Sequence, residues 1–405
     1  MNKFHIKKFS GFFVGTILAS SISFIITYIM NYNLSPTNLG QYSFYYNILN
    51  LSFPIVSLSL YASYIRFNNK ADFCVFNFIF RRCVLAFFLL FVGIFIFFEE
   101  FKYSFFAFVI FFQERAYYFR SRQEILKYNI LNVSSKLIFL LLVLYILLIE
   151  KAGYLSGLEY LSFWGVSYFI LFMFFIPFYY NNFNLGKNTQ KLSEVEAKKI
   201  VRFSIMTTLM TVVIWFSAVS DQFLIKYYYN FEAVGEYSVA FRVITLLSLV
   251  SGVFLSYYPV MYYKDMKAGV TKNILFFRKA FFITLFFGIS ILFVFSDYIY
   301  ILFGAEKYIE SISYFKILIL AEGFRLSASI FMTFKSYKLQ QAFIFKSLLF
   351  VSTLNIALNV IFLPLYGPVF AAVSTLITYF VYFLFSLKVY LLERKYMNFI
   401  FLEVK

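Results

Sequence analysis

Four polar side chains in an otherwise oily chain raise the first chemical question. Asp221 offers a carboxylate, Asn355 and Asn359 offer amides, and Thr375 offers a hydroxyl. Residues four apart share one face of a helix, so the two asparagines point the same way. Counted from the near ends of their apolar runs, Asp221, Asn359 and Thr375 lie at one depth, roughly 10 Å at the helical rise. One carboxylate with amide and hydroxyl oxygens could hold a small hard cation such as Na+, or relay a proton at the Asp. The asparagines could equally be glue between helices, a common use of polar groups in lipid. Arg115, Lys136, Arg242, Lys316 and Arg325 also fall within apolar runs, with Glu114 and Glu322. Each such charge costs several kcal/mol unless it meets a partner or a cavity. Their balance, counting Asp221, is cationic and would suit an anion such as a pyrophosphate. Glu322 and Arg325 are spaced to neutralise each other. Glu114, Arg115 and Lys136 are near enough to one end to snorkel. Arg242 is about two turns into its helix, and Asp221 could pair with it.

Two stripes of small polar residues accompany these charges. Thr16, Ser20, Ser23 and Thr27 align on one helix face, and Ser204, Thr207, Thr211, Ala218 and Asp221 align on another. They read either as packing seams or as the lining of a water-filled path. Enzyme chemistry has little to work with. His5 is the one histidine, and Cys74 and Cys83 form neither a CxxC pair nor a Cys/His metal spacing. No metal centre or cofactor is expected beyond a coupling ion.

The elements that position these groups follow from composition. The 405 residues are 62% hydrophobic and 14% charged, against about 25% charged in soluble domains. Apolar runs of about 20 residues predict membrane-crossing helices, at roughly 10–31, 41–65, 76–98, 103–120, 130–149, 160–180, 203–228, 235–262, 276–303, 312–334, 343–364 and 368–390. The runs do not alternate apolar and polar, which disfavours a β-barrel. The first run follows Lys3, Lys7 and Lys8, lacks a small-residue cleavage site, and reads as a retained span. Most of the 36 basic residues fall in the tails and in alternate loops, while the opposite loops collect acids such as Glu99, Glu150 and Glu306. This asymmetry predicts twelve spans with both termini cytoplasmic. It also turns the net charge of +17 into a statement of topology and attraction to anionic lipid, not nucleic-acid binding.

The connection at 182–202 divides the chain into a lobe at 1–181 and a lobe at 203–405. Six spans per lobe make the lobes parallel repeats. Leu39-Gly40-Gln41-Tyr42-Ser43 after the first span returns as Val234-Gly235-Glu236-Tyr237-Ser238 after the seventh. Each glycine is expected to allow a tight turn into the next helix. Asn47 in one copy stands where Arg242 stands in the other.

Two longer stretches carry a resemblance. WFSAVSDQFLIKYYYNFEAVGEYSVAFRV (Trp215 to Val243) and LNIALNVIFLPLYGPVFAAVSTLITY (Leu354 to Tyr379) resemble the seventh-to-eighth and eleventh-to-twelfth span signatures of Wzx-type polysaccharide flippases. LGQYSF, the length and the span count also fit, so the resemblance covers the whole chain. It implies the multidrug/oligosaccharidyl-lipid/polysaccharide (MOP) exporter superfamily and an all-α, MATE-like fold of two six-helix lobes around a central cavity. The implied substrate is an undecaprenyl-pyrophosphate-linked oligosaccharide, moved across the bacterial inner membrane by alternating access for O-antigen or capsule synthesis. A polymerase and a chain-length regulator are implied partners. Relatives draw on cation gradients, which carries Na+ or proton coupling onto Asp221, Asn355, Asn359 and Thr375. Here Asn359 stands where an acid can occur, leaving one carboxylate. Arg242, Arg325 and Arg115 become candidate head-group residues, and Thr16, Ser20, Ser23, Thr27, Thr207 and Thr211 candidate cavity-lining residues. A multidrug exporter of the same superfamily would look alike. A polymerase would be expected to carry a large extracytoplasmic loop, and an acyltransferase is poorly served by one tail histidine.

Overall fold

The computed structural model describes residues 3–67, 73–122, 124–149, 156–185, 193–269 and 271–403. Lipid offers no partner to a backbone N–H or C=O, so a chain this apolar must satisfy its backbone within helices. The described residues form helices and short 3-10 turns and no strand. Eight of the helices are long and apolar enough to cross a membrane. This is a multi-pass, all-α membrane protein. Every expected span is helical, and the second, fourth and ninth are interrupted.

The chain divides into two compact units, Met1–Leu34 with Gln41–Val212, and Ser35–Gly40 with Val213–Lys405. In the first unit, α1 (Lys3–Asn33) lies along α7 (Ile125–Ile149). Helix α2 (Pro36–Val56) ends just after Pro54, and Leu58 and Ser59 take left-handed backbone angles before a 3-10 turn leads into α3 (Tyr64–Phe67). After α4 (Phe73–Phe98), the fourth span is assembled from α5 (Phe101–Ser104), a 3-10 turn and α6 (Val109–Ser121). Reciprocal capping boxes open the next two helices. Ser156 and Glu159 exchange side-chain to backbone bonds at the start of α8 (Gly157–Leu185), as do Ser193 and Glu196 at the start of α9 (Glu194–Tyr228).

The second unit receives the end of α9 and adds α10 (Phe231–Lys267), α11 (Lys272–Val294), the short α12 (Ser296–Leu302), α13 (Ile312–Tyr337), α14 (Gln341–Tyr366) and α15 (Val369–Glu403). Helix α13 is its central rod and packs against α10, α11, α14 and α15. The apolar window containing it is 72% buried, against 17–44% in the other seven candidate spans. Those others keep much of their surface for lipid.

The duplicated glycine phrase has a different use from the expected one. Both glycines lie in the first turns of helices, α2 and α10, and neither has a positive φ. The turns are made upstream, where Ser35 and Asn230 occupy matching N-cap positions. Asn38 N donates to Ser35 Oγ at 3.3 Å, and Ala233 N donates to Asn230 Oδ1 at 2.9 Å. The glycines instead let the two helix starts touch, within the second unit. A Cβ on Gly40 would sit 1.8 Å from the Phe231 carbonyl oxygen, and one on Gly235 would sit 2.0 Å from that of Pro36. The repeat is thus a small-residue crossing that brings backbone against backbone.

Arg278 and Glu393 are buried inside the second unit. Glu393 lies within α15, which continues well past the expected end of the last span. Arg278 meets both Glu393 oxygens at 2.7 Å, its Nε donates to Tyr258 at 2.7 Å, and Tyr262 donates to Glu393 at 2.5 Å. The clasp ties α10, α11 and α15 together. Arg278→Met is expected to cost about 3–5 kcal/mol, because Glu393 is left charged and uncompensated. The double variant Arg278→Met/Glu393→Met should recover most of that loss. Thermal melting in detergent checks both, and a double variant no better than the single one would count against the clasp.

Candidate functional site

Asp221 sits two turns from the end of α9, where the helix has entered the second unit, and is 2% exposed. Its Oδ1 accepts from Asn359 Nδ2 at 2.8 Å. Its Oδ2 accepts from the Tyr237 and Thr375 hydroxyls, each at 2.6 Å. Asn355 forms the next layer. Its Oδ1 accepts from Ser220 at 3.1 Å and from Asn359 at 3.3 Å, and its Nδ2 donates to Thr375 at 3.3 Å and Ser374 at 3.4 Å. Ser374 Oγ donates to Asn359 Oδ1 at 2.8 Å, which fixes the amide with its N–H toward the carboxylate. Four helices supply these groups: α9, α10, α14 and α15. The i, i+4 spacing places Asn355 and Asn359 on one face of α14, and both are buried there.

The structure therefore brings Asp221, Asn355, Asn359 and Thr375 into one hydrogen-bonded cluster. Tyr237, Ser220 and Ser374 join it and were not anticipated. A signal for Tyr237 was present, since it belongs to the repeated motif, but the motif read as a turn. The site holds a single full negative charge in a dry, oxygen-rich setting: two carboxylate, two amide and several hydroxyl oxygens. Among the described residues no group of three or more His, Cys, Asp or Glu side chains converges. Such a donor set is chemically matched to a proton or a monovalent hard cation rather than a transition metal.

The charged candidates are distributed differently. Arg242 does not pair with Asp221, whose acceptors are occupied by Asn359, Tyr237 and Thr375. It is half-buried on α10 and lies within electrostatic reach of Tyr308. Arg325 forms a two-pronged ion pair with Glu322, at 2.6 and 2.5 Å. That pair lines a cavity of about 400 Å3 in the second unit, with Phe241, Thr245, Ser329 and Tyr379. Arg325 remains 39% exposed there, against 11% for Glu322. Tyr379 follows Thr375 by one turn of α15, so the cavity and the Asp221 cluster share a helix.

Arg115 does not snorkel. It is 1% exposed in the first unit, bonded to Glu114 at 3.1 Å and surrounded by the rings of Phe76, Tyr118 and Phe119, while Tyr64 donates to Glu114 at 2.8 Å. The apolar ring cage outweighs the short path to the interface, and the paired charges stay inside. Lys136 likewise turns inward and donates to the Ala19 carbonyl at 3.1 Å. In the small-residue stripes, Ser23, Thr27, Thr207 and Thr211 each donate to a carbonyl four residues back. They are half-buried and satisfied within their own helices, so they carry no demand for water or for a partner helix. Ser20 is half-buried, and the Thr16 side chain lies outside the described residues.

Comparison with known proteins bears on this architecture. A family model described as polysaccharide biosynthesis protein matches residues 160–256. Among solved structures, an inward-facing multidrug resistance MATE family transporter of the MOP superfamily superposes with a TM-score of 0.67. The two are 12% identical over 95% of this chain and 94% of that one. The chain has the fold of the MOP-superfamily transporters. An outward-facing MATE family transporter gives a TM-score of 0.63 at 12% identity, covering 97% of this chain and 96% of that one. A MOP-superfamily transporter from Pyrococcus furiosus gives 0.61 at 11% identity, with 97% and 96% covered. It was reported to have a binding pocket of reversed polarity, suggesting a different function. No curated protein matches the sequence. Within this MOP fold the Asp221 cluster and the Glu322–Arg325 cavity both belong to the C-terminal unit.

Proposed function

We propose that this protein is a flippase that carries undecaprenyl-pyrophosphate-linked oligosaccharide units across the bacterial cytoplasmic membrane for surface polysaccharide synthesis. The MOP fold together with the polysaccharide-biosynthesis match over residues 160–256 carries this reading. The basic loops orient the chain with both termini in the cytoplasm. The sugar-pyrophosphate head is drawn from water by positive charge while the lipid tail stays in the bilayer. Arg242 takes the leading part, since Arg115 is sealed among rings and Arg325 is largely neutralised by Glu322. Alternating access then delivers the head to the other side.

The Asp221 cluster is the coupling site in this scheme. Na+ fits its oxygens once the Asn359 amide rotates and the hydroxyl protons turn away, with Asp221, Asn355, Asn359, Ser374 and Thr375 as ligands. A proton on Asp221 needs a smaller change: the Tyr237 or Thr375 hydroxyl turns to accept from it, and the Asn359 amide stays as it is. Either ion neutralises a buried charge, which removes most of the cost of holding it in a dry interior.

Arg242→Ala is expected to leave lipid-linked sugar accumulating on the inner leaflet and to lower surface polysaccharide, at unchanged protein level. Leaflet-resolved lipid analysis in a deletion strain carrying the variant reads both. Normal surface polysaccharide in that strain would remove Arg242 from the mechanism. The multidrug transporters among the structural relatives favour a second reading, export of small molecules. Drug resistance conferred by the wild-type chain, with no loss of surface glycan on deletion, would select it.

A further inference from the structure

The first unit holds a groove that neither the Asp221 cluster nor the head-group residues use. It measures about 440 Å3 and lies between α4 and the beginning of α9, lined by Phe78, Arg82, Val201, Arg202, Ile205 and Met206. Its walls are largely apolar, and Ile205 and Met206 are open to the surroundings, 41% and 49% exposed. Basic groups stand at its rim. Lys198 is bonded to Glu194 at 2.7 Å and is thereby neutralised. Arg82 folds over the Phe78 ring, 3.4 Å from its centre, and donates one N–H to the Phe78 carbonyl at 3.2 Å. The remaining donors of its planar fork stay available, because the residue is exposed. Arg202 is exposed and makes no ion pair among the described residues, the Glu194 carboxylate of the same groove being taken by Lys198. The groove therefore combines two uncompensated guanidinium groups with an apolar slot. Both arginines lie about two turns inside their helices, on the side where the basic loops collect.

A free anion would satisfy the arginines and leave the slot bare. An apolar segment would fill the slot and leave two cations facing hydrocarbon. A molecule with an anionic phosphate head and an acyl chain satisfies both. We propose that this groove binds an anionic glycerophospholipid of the surrounding membrane. The phosphate lies between Arg82 and Arg202, in the geometry a guanidinium fork favours. One acyl chain runs along Phe78, Val201, Ile205 and Met206. The bound lipid braces the start of α9, the helix whose other end carries Asp221.

The full-length protein, purified in detergent, is exposed to equal amounts of dioleoyl phosphatidylglycerol and dioleoyl phosphatidylcholine, and retained lipid is read by native mass spectrometry. The wild type is expected to retain phosphatidylglycerol selectively. Arg82→Gln/Arg202→Gln should lose that retention by roughly five-fold for each arginine removed, the usual worth of one basic side chain against an anionic lipid. Arg82→Lys/Arg202→Lys should keep most of it. Lys272→Gln/Lys279→Gln, which removes the same charge elsewhere, should behave as wild type. An equal loss in that control would reduce the effect to general surface attraction and overturn the site. So would undiminished retention in the arginine double variant. Displacement of phosphatidylglycerol by an equimolar polyprenyl phosphate, in the wild type but not in the arginine variant, would instead give the groove to the carrier lipid. Thermal melting confirms that each variant is folded before its lipid is measured.

Discussion

Replacing Gly235 with valine is expected to abolish a correctly assembled C-terminal unit, and Gly40→Val should do the same. Alanine at either place should already cost about 1–3 kcal/mol, the usual penalty of overpacking. In an ordinary helix the sign would be opposite, because glycine is worse than alanine by about 1 kcal/mol. The reversal comes from the crossing. A Cβ at Gly235 would lie 2.0 Å from the Pro36 carbonyl oxygen, and the atom in the way is backbone, which cannot rotate aside. Relief requires α2 and α10 to separate, which opens the first turns held by the Ser35 and Asn230 caps. Gly93→Ala in α4 supplies the control, since nothing lies within 4 Å of a Cβ there. Melting temperature and detergent-stable yield should drop for both crossing glycines and hold or rise for Gly93→Ala. Equal behaviour of all three alanine variants would refute the crossing as a packing constraint.

Asp221→Asn is expected to keep the fold and remove the ion dependence of transport. The amide has nearly the shape of the carboxylate, and the Tyr237 and Thr375 hydroxyls can turn to accept from its new N–H groups. What is lost is the charge, and with it charge-assisted hydrogen bonds worth about 1.5–3 kcal/mol each. One such bond corresponds to a fall of roughly ten- to hundred-fold in apparent ion affinity. Asp221→Ala should behave worse in a different way. It leaves three donors, on Tyr237, Asn359 and Thr375, aimed at an empty space, at about 1–3 kcal/mol for each unsatisfied group. Flux measured against Na+ and pH in proteoliposomes separates the two variants. An Asp221→Asn protein that keeps the wild-type dependence on both would remove the cluster from ion coupling.

How far the site was legible depends on the kind of interaction. Asn355 and Asn359 were readable because helical periodicity is local, and a four-residue spacing means one face wherever the helix lies. Glu322 and Arg325 were readable for the same reason, and they do pair. Asp221, Asn359 and Thr375 were matched by depth, which a rise per residue supplies. Their common partner Tyr237 was not, because it starts from another helix and reaches across. Arg242 matched Asp221 in depth as well, yet the carboxylate is met by other groups. Depth fixes one coordinate, and the rotation of each helix about its axis fixes whether two residues at that depth meet. Arg115 and Arg278 show the same limit for charge: both stood near helix ends, and both are buried with help from groups far along the chain, the Phe76 ring for Arg115 and the Glu393 carboxylate for Arg278.

The repeated phrase draws the line between the two kinds of information. Hydrophobic run length and the placement of lysine and arginine determined the helical class and the expected spans and their orientation, since lipid leaves the backbone no other way to bond. The repetition of Gly-x-Tyr-Ser determined that each half begins its second span alike. Only the tertiary structure decided what those copies do. The two glycines serve one contact, backbone to backbone. The two tyrosines part company: Tyr42 accepts from Trp164 Nε1 at 2.9 Å, while Tyr237 donates to Asp221 at 2.6 Å. Identical local sequence sets identical local geometry, but the partner across a helix interface is set by residues far away in the chain, and there the two halves differ.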